Sequence, residues 1–359
     1  MDRVPAEIWT AILSFACLDS GATGRILSRV SKFIRAASAP VRWQSLHIHG
    51  PRQVVAFHAR LLRAPPHLRR VRYLFLSSAA AADRGGRPLS EKRRQQKPHS
   101  PAEFRQRVSD AQLIKTCFEI LVHVAESVEI MYLDISLSHL SDMPPHSIQF
   151  PLLKELTSAS LPPHYGLPSA GGGAPADTLC PQLHRWHFIG CPFSIGMALS
   201  DHASADALLT IGTSKPLFSA IAVIAPALTH LRFSNLLGER WFPAELKGAL
   251  AVDLPEPCPP PRVLHSYRTI GKLPASIKNV YVKLAAPPET GGSYHTLRRE
   301  LEALSGRLEA LSRADNRVVL LQPNPPGRQT RCTPRDLVER LNCSDDCWSL
   351  HGRILSNYN

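Results

Sequence analysis

Apolar residues recur every three or four positions over residues 4–16, at Ile8, Trp9, Ile12, Leu13 and Ala16, and the spacing predicts an amphipathic helix. Pro5 suits the first helical position, where a missing N–H costs nothing. Asp19, Ser20 and Gly21 stop the pattern. Thr23 is the N-cap of a second predicted helix running to about Ala37, with the stripe Ile26, Leu27, Val30, Phe33, Ile34 and Ala37. Pro40 opens a short helical piece through Trp43. Leu46 and Ile48 then alternate with polar neighbours, as in a strand. Val54, Val55, Phe57, Leu61 and Leu62 outline another helix, closed by Pro65 and Pro66.

Further along, a short frame repeats: an apolar residue, two others, an apolar residue, one other, an apolar residue. Leu68, Val71 and Tyr73 fit it, as do Val128, Met131 and Leu133. Leu153 and Leu156 fit, with Ser158 in the third place. Leu183, Trp186 and Phe188 follow, then Leu228, Leu231 and Phe233, then Ile277, Val280 and Val282. Steps between copies are 60, 25, 30, 45 and 49 residues. Pro66, Pro151, Pro181 and Pro226 precede four of them. The pattern predicts one short strand per copy, stacked side by side, because a single copy cannot bury its apolar face and a stack can. Return helices are expected at Ser109–Glu126, Pro216–Ile224 and Tyr294–Arg313, the last with Leu297, Leu301, Leu304, Leu308 and Leu311 on one side. Val318–Leu321 would be the last strand. The expected fold is therefore mixed α/β, a three-helix start followed by an irregular solenoid of short strands and helices.

Composition narrows this picture. Hydrophobic residues make up 44% and charged residues 20% of the 359-residue chain, which excludes wholesale disorder. Thirty-two prolines disfavour a long helical bundle. Eight cysteines without a framework of spacings read as reduced thiols rather than disulfides. The longest apolar stretch, Leu217–Leu228, is interrupted by Ser219 and Pro226 and falls short of the roughly 20 residues a membrane span needs. Asp2 and Glu7 precede the apolar Ala11–Leu18, so no leader is expected there. The expected location is cytoplasmic, nuclear or both.

Charge is concentrated. The net charge is +13, and residues 52–107 carry +11 of it, from 14 basic and 3 acidic residues. Residues 79–107 have no apolar period, and a basic, weakly ordered insertion is expected there. Residues 162–175, rich in Pro and Gly, and residues 255–261, with five prolines in seven positions, read as further loops. Lys92, Arg93 and Arg94 with Lys97 suit a nuclear-localisation signal or a solvated loop. Nucleic acid is not an expected partner, because Phe104 alone supplies an aromatic for stacking.

The first 45 or so residues resemble the F-box, a three-helix module. Val4-Pro5-Ala6-Glu7-Ile8-Trp9, followed by Ile12-Leu13, resembles the opening of the family pattern, with Val4 replacing the usual Leu. Val30-Ser31-Lys32-Phe33-Ile34-Arg35 is similar to its second half, and Trp43 to its closing aromatic. Residues 51–77 continue in the manner of fungal F-box-like proteins. Cys180-Pro181-Gln182-Leu183 with Trp186, Phe188 and Cys191 resembles a cysteine-containing leucine-rich repeat. The resemblance implies an adaptor: the module docks a Skp-family protein, which links to a cullin, and the rest of the chain recruits a target protein for ubiquitination. It implies no catalysis in this chain, no cofactor and no membrane. The implied organisation is 1–50 F-box, 51–78 linking helix and first repeat strand, 79–107 basic insertion and 108–359 target-binding region. The residues implied in Skp binding or the F-box core are Val4, Pro5, Glu7, Ile8, Trp9, Ile12, Leu13, Leu27, Val30, Ser31, Phe33 and Trp43. Alternatives are an F-box scaffold outside the ligase, or a nucleic-acid-associated protein using residues 84–107.

Strand alternation supplies the other candidate site. If Leu183, Trp186 and Phe188 and their counterparts are buried, the opposite phase faces outward. It contains Arg185 and His187, then His230 and Arg232, then Asn279, Tyr281 and Lys283. These suit an acidic or phosphorylated target, or are ordinary solvated strand residues. Metal chemistry is not expected. Cys180, His184, His187 and Cys191 do not converge in a strand, and Cys343, Cys347 and His351 share one helix face with only Cys332 as a distant fourth ligand. Gly171–Gly173 lacks the Lys-Ser/Thr of a phosphate loop.

Overall fold

The computed structural model describes residues 4–19, 21–78, 110–135, 148–159, 178–189, 217–236, 241–253, 271–286, 294–323 and 341. Two compact units divide the chain, Met1–Ile148 with Thr333–Leu341, and Gln149–Cys332 with Asn342–Asn359. The expected insertion at 79–107, the loops at 162–175 and 255–261 and the cysteines beyond 331 lie outside the described residues.

In the first unit, helix α1 spans Ala6–Ala16, α2 spans Ala22–Val30 and α3 spans Lys32–Ser38. The single helix expected over 23–37 is broken at Ser31. That residue is extended, and its Oγ accepts from the Ile34 N–H at 3.1 Å, so it ends one helix and caps the next. Thr23 is not the cap of α2. Gly21, at φ 82°, holds that place, and the Asp19 carboxylate accepts from the N–H groups of Gly21 (3.1 Å) and Thr23 (2.9 Å). Leu13, Cys17, Ile34, Ala37 and Val41 form the core of these helices, with Trp9 and Leu27 partly buried around it. Gly24 lets α2 approach the following turn, since a Cβ there would meet the Arg42 carbonyl oxygen at 2.6 Å.

Strand β1 (Ser45–His49), helix α4 (Gly50–Arg63), a 3-10 turn at Pro66–Leu68, β2 (Tyr73–Ser77), helix α5 (Asp110–Val124) and β3 (Ile130–Asp134) complete the described part of this unit. The three strands are parallel and adjacent in chain order. The first copy of the repeat frame is displaced from its expected place. Leu74 pairs with Met131 and Leu76 with Leu133, so Val71, Leu74 and Leu76 are the equivalent set, all fully buried. Both triplets satisfy the same spacing. The prolines hold Leu68 in a turn, and sheet pairing selects the later one.

The second unit contains β4 (Glu155–Ser158), β5 (Arg185–Ile189), β6 (His230–Leu236), β7 (Asn279–Leu284) and β8 (Val318–Leu321), each parallel to the next. Parallel neighbours need crossover connections. Helices α6 (Leu217–Ile224), α7 (Phe242–Leu250) and α8 (Tyr294–Ala314) lie in them. One phase of each strand faces the core, which holds Trp186, Phe188, Leu231, Phe233, Val280 and Val282. The rings of Phe188 and Phe233 stack at 5.3 Å, and Phe242 of α7 meets Phe233 edge-on at 4.9 Å. Trp186 donates its buried indole N–H to Ser158 Oγ at 3.1 Å, so the polar third place in that copy has a structural role. The stripe of α8 is buried at Leu301, Leu304, Leu308 and Leu311. Helix α7 was not among the expected helices. Asn235, at φ 64°, accompanies a register shift between β6 and β7. Among the described residues no helix is long and apolar enough to cross a membrane.

Candidate functional site

On α1, a helix of 3.6 residues per turn sends Trp9, Leu13 and Cys17 one way and Ile8, Ile12 and Phe15 another. The first set packs in the core. The second is exposed: Ile8 51%, Ile12 50% and Phe15 79%. Val4 precedes it, and Ile26 and Val30 on α2 and Phe33 on α3 are exposed as well. Seven large apolar side chains, six within these three short helices and Val4 just before them, thus face solvent. Singly exposed apolar residues are ordinary, so it is their concentration along residues 4–33 that stands out.

The structure sorts the residues that the F-box resemblance picks out. Val4, Pro5, Glu7, Ile8, Ile12, Val30 and Phe33 are exposed. Leu13 is core, with Trp9 and Leu27 against it. Ser31 is the cap between α2 and α3. Trp43 packs edge-on against Phe57 at 5.9 Å, with the Arg42 guanidinium 5.5 Å from its ring. Phe15 and Ile26 are the exposed apolar residues missing from that set. Phe15 could have been found from its seven-residue spacing to Ile8. The helices are pinned by Thr10 Oγ1, which donates to the Ala37 carbonyl at 2.8 Å, and by Gln44 Nε2, which donates to the Ser14 carbonyl at 3.0 Å.

In the second unit the pairing aligns the candidate target-binding residues in rows. Arg185 pairs with His230 and His230 with Asn279; His187 pairs with Arg232 and Arg232 with Tyr281; Ser234 pairs with Lys283. Arg185 forms an ion pair with Glu155 at 2.8 Å. His187 Nε2 lies 2.9 Å from Ser234 Oγ, which also accepts from Arg232 Nε at 3.2 Å. The rings of His230 and Tyr281 stack at 6.4 Å. Arg232 and Lys283 are only 6% and 4% exposed, and the others are half-buried, so the rows form an enclosed polar layer rather than an open surface. Burial, with Arg232 and Lys283 nearby, holds the His187 imidazole well below its ordinary range. Burial and then Arg232 lower the Lys283 ammonium, and burial raises the Tyr281 phenol. The imidazole is therefore neutral at neutral pH, a hydrogen-bonding group between two cations. In the first unit the same phase is aromatic: His47 meets Phe75 at 4.7 Å and Phe75 stacks on Tyr132 at 6.2 Å.

Cys180 is buried and His184 is exposed, its Nδ1 3.2 Å from the Ala227 carbonyl; Cys191 lies outside the described residues. Among the described residues no group of three or more His, Cys, Asp or Glu is placed to hold a metal. The basic block around Lys92–Lys97 also lies outside them. In comparisons with family models, curated proteins and solved structures, the chain matches none.

Proposed function

We propose that the chain is a substrate-receptor subunit of a Skp–cullin–F-box ubiquitin ligase. The observation that carries this reading is the exposed apolar face of α1–α3, formed by Val4, Ile8, Ile12, Phe15, Ile26, Val30 and Phe33. Two amphipathic helices that keep apolar stripes outside their own core have the pattern of a helix-in-groove contact. The motif resemblance of residues 4–13 and 30–35 names the groove as that of a Skp-family adaptor. The parallel strands of the second unit support a leucine-rich-repeat-like array beyond the docking module.

The test is co-purification of the full chain with a Skp-family adaptor and a cullin. An Ile8→Asp, Ile12→Asp variant places two carboxylates on the exposed stripe and leaves Leu13 in place. The wild type retains both partners and the variant loses both, with its circular dichroism unchanged. Retention of the adaptor without the cullin would favour a scaffold outside the ligase. A folded variant that still binds the adaptor would reject the docking face.

A further inference from the structure

A cleft of about 480 Å³ lies in the first unit, between α2, the turn that follows α3, and the end of α4. Arg25, Ser28, Ala39, Arg42, Trp43, Arg60, Arg63, Ala64, Pro65 and Leu68 line it. Four of these are arginines and none is acidic. Among the described residues no carboxylate pairs with any of the four. The Arg42 guanidinium lies over the Trp43 ring, 5.5 Å from its centroid, and both residues line the cleft.

The ordinary explanation for arginines at a helix C-terminus is that they serve its free carbonyl groups. At the end of α4 that task is already done. Arg69 donates from Nε to the Ala64 carbonyl at 2.9 Å and from its Nη2 to the Leu62 carbonyl at 3.3 Å. Arg60 and Arg63 are exposed and left for other work. Arg25 and Ser28 lie roughly 150° around α2 from the apolar Ile26 and Val30, so the cleft and the proposed docking face use opposite sides of one helix.

We propose that this cleft is a binding site for a small anion carrying two linked phosphate groups. Guanidinium forks recognise phosphate oxygens bidentately, and four of them carry four positive charges, which the roughly two negative charges of one phosphate leave half neutralised and two linked phosphates balance. The cleft volume falls within the roughly 300–1,000 Å³ of small-molecule sites. Trp43, Pro65 and Leu68 give one wall an apolar character suited to the organic part of a phosphate ester.

The test uses the full chain carrying Lys92→Gln, Arg93→Gln and Arg94→Gln, which removes non-specific anion binding by the basic block. Pyrophosphate, orthophosphate and ADP are titrated by calorimetry at physiological salt. Pyrophosphate should saturate a single site at least about tenfold more tightly than orthophosphate, because two phosphates engage more of the forks. ADP binding at least as tightly as pyrophosphate assigns the site to organic diphosphates, and pyrophosphate alone assigns it to the inorganic anion. Arg60→Gln with Arg63→Gln, both exposed and harmless to folding, should weaken binding at least about tenfold, and Arg42→Gln should do the same. Arg52→Gln, an exposed arginine outside the cleft, should change nothing. Absence of saturable binding of both pyrophosphate and ADP, or undiminished binding by the Arg60→Gln, Arg63→Gln variant, overturns the proposal.

Discussion

Ile12 and Leu13 are chain neighbours with the same carbon count and opposite surroundings, so truncating each to alanine separates docking from packing. Leu13 is 5% exposed and touches the core of α1–α3. Leu13→Ala removes three buried carbons, about 2.4 kcal/mol at about 0.8 kcal/mol each. The cavity left behind brings the expected cost to about 3 kcal/mol. Ile12 is 50% exposed, so the same truncation loses about half as much burial, roughly 1.2 kcal/mol. Alanine regains about 0.4 kcal/mol of helix propensity, leaving a net cost of about 0.8 kcal/mol. Hydrogen exchange resolved to α1 peptides reads both. Leu13→Ala should speed exchange by about 100-fold or more, and Ile12→Ala by only a few-fold. Adaptor affinity should follow the reverse order at low temperature: Ile12→Ala weakens it by at least about tenfold, as truncation of an anchor residue does. Equal acceleration of exchange in the two variants would place Ile12 in the core and refute the sorting of the helix faces. Slow exchange with unchanged adaptor affinity in Ile12→Ala would remove Ile12 from the docking surface.

The buried contact from Trp186 to Ser158 predicts that Ser158→Ala lowers stability by about 1–3 kcal/mol, because the indole N–H is left without its acceptor; an unchanged urea midpoint would show that the contact contributes nothing. Ala251 caps α7 at φ 56°, a conformation that suits glycine, so Ala251→Gly should stabilise the fold by about 0.5–1 kcal/mol, and a lower melting temperature would contradict this. His187 is held neutral by burial and its cationic neighbours, so the unfolded chain takes up a proton on acidification that the folded chain refuses. Its contribution to stability is present above the ordinary histidine range and lost as pH falls through that range; His187→Asn should flatten the dependence between about pH 7.5 and 5.5, and an unaltered slope would argue against it. Burial pushes the thiols of Cys117 and Cys180 from 9.0 up to about 12, so both should resist alkylation in the native chain at about pH 8 and react in urea. By the same linkage their contribution to stability is complete below 9.0 and declines as pH rises toward about 12.

The chain by itself determined the parts of this protein that depend on local periodicity. The stripe of α8, the stripe of α5 and the apolar phase of β5, β6 and β7 were legible because a buried face imposes a period of 3.6 or 2 on the residues that form it. The apolar helices at the N-terminus were legible too, but not which of their faces turns outward, since periodicity marks an apolar sector and not its partner. Tertiary structure decided what local spacing leaves degenerate. Two overlapping triplets fitted the repeat frame near Val71, and hydrogen bonding to β3 selected Val71, Leu74 and Leu76. Ser31 reads as an ordinary helical position until its side chain is seen to accept from Ile34. Arg232 and Lys283 have the composition of a solvated strand face, yet the fold encloses them, because burial depends on what packs above a strand and not on its own alternation. Arg25, Arg42, Arg60 and Arg63 follow no period and lie on separate elements; only the approach of α2 to the turn beyond α3, permitted by Gly24, and the placement of α4 gather them around one cleft.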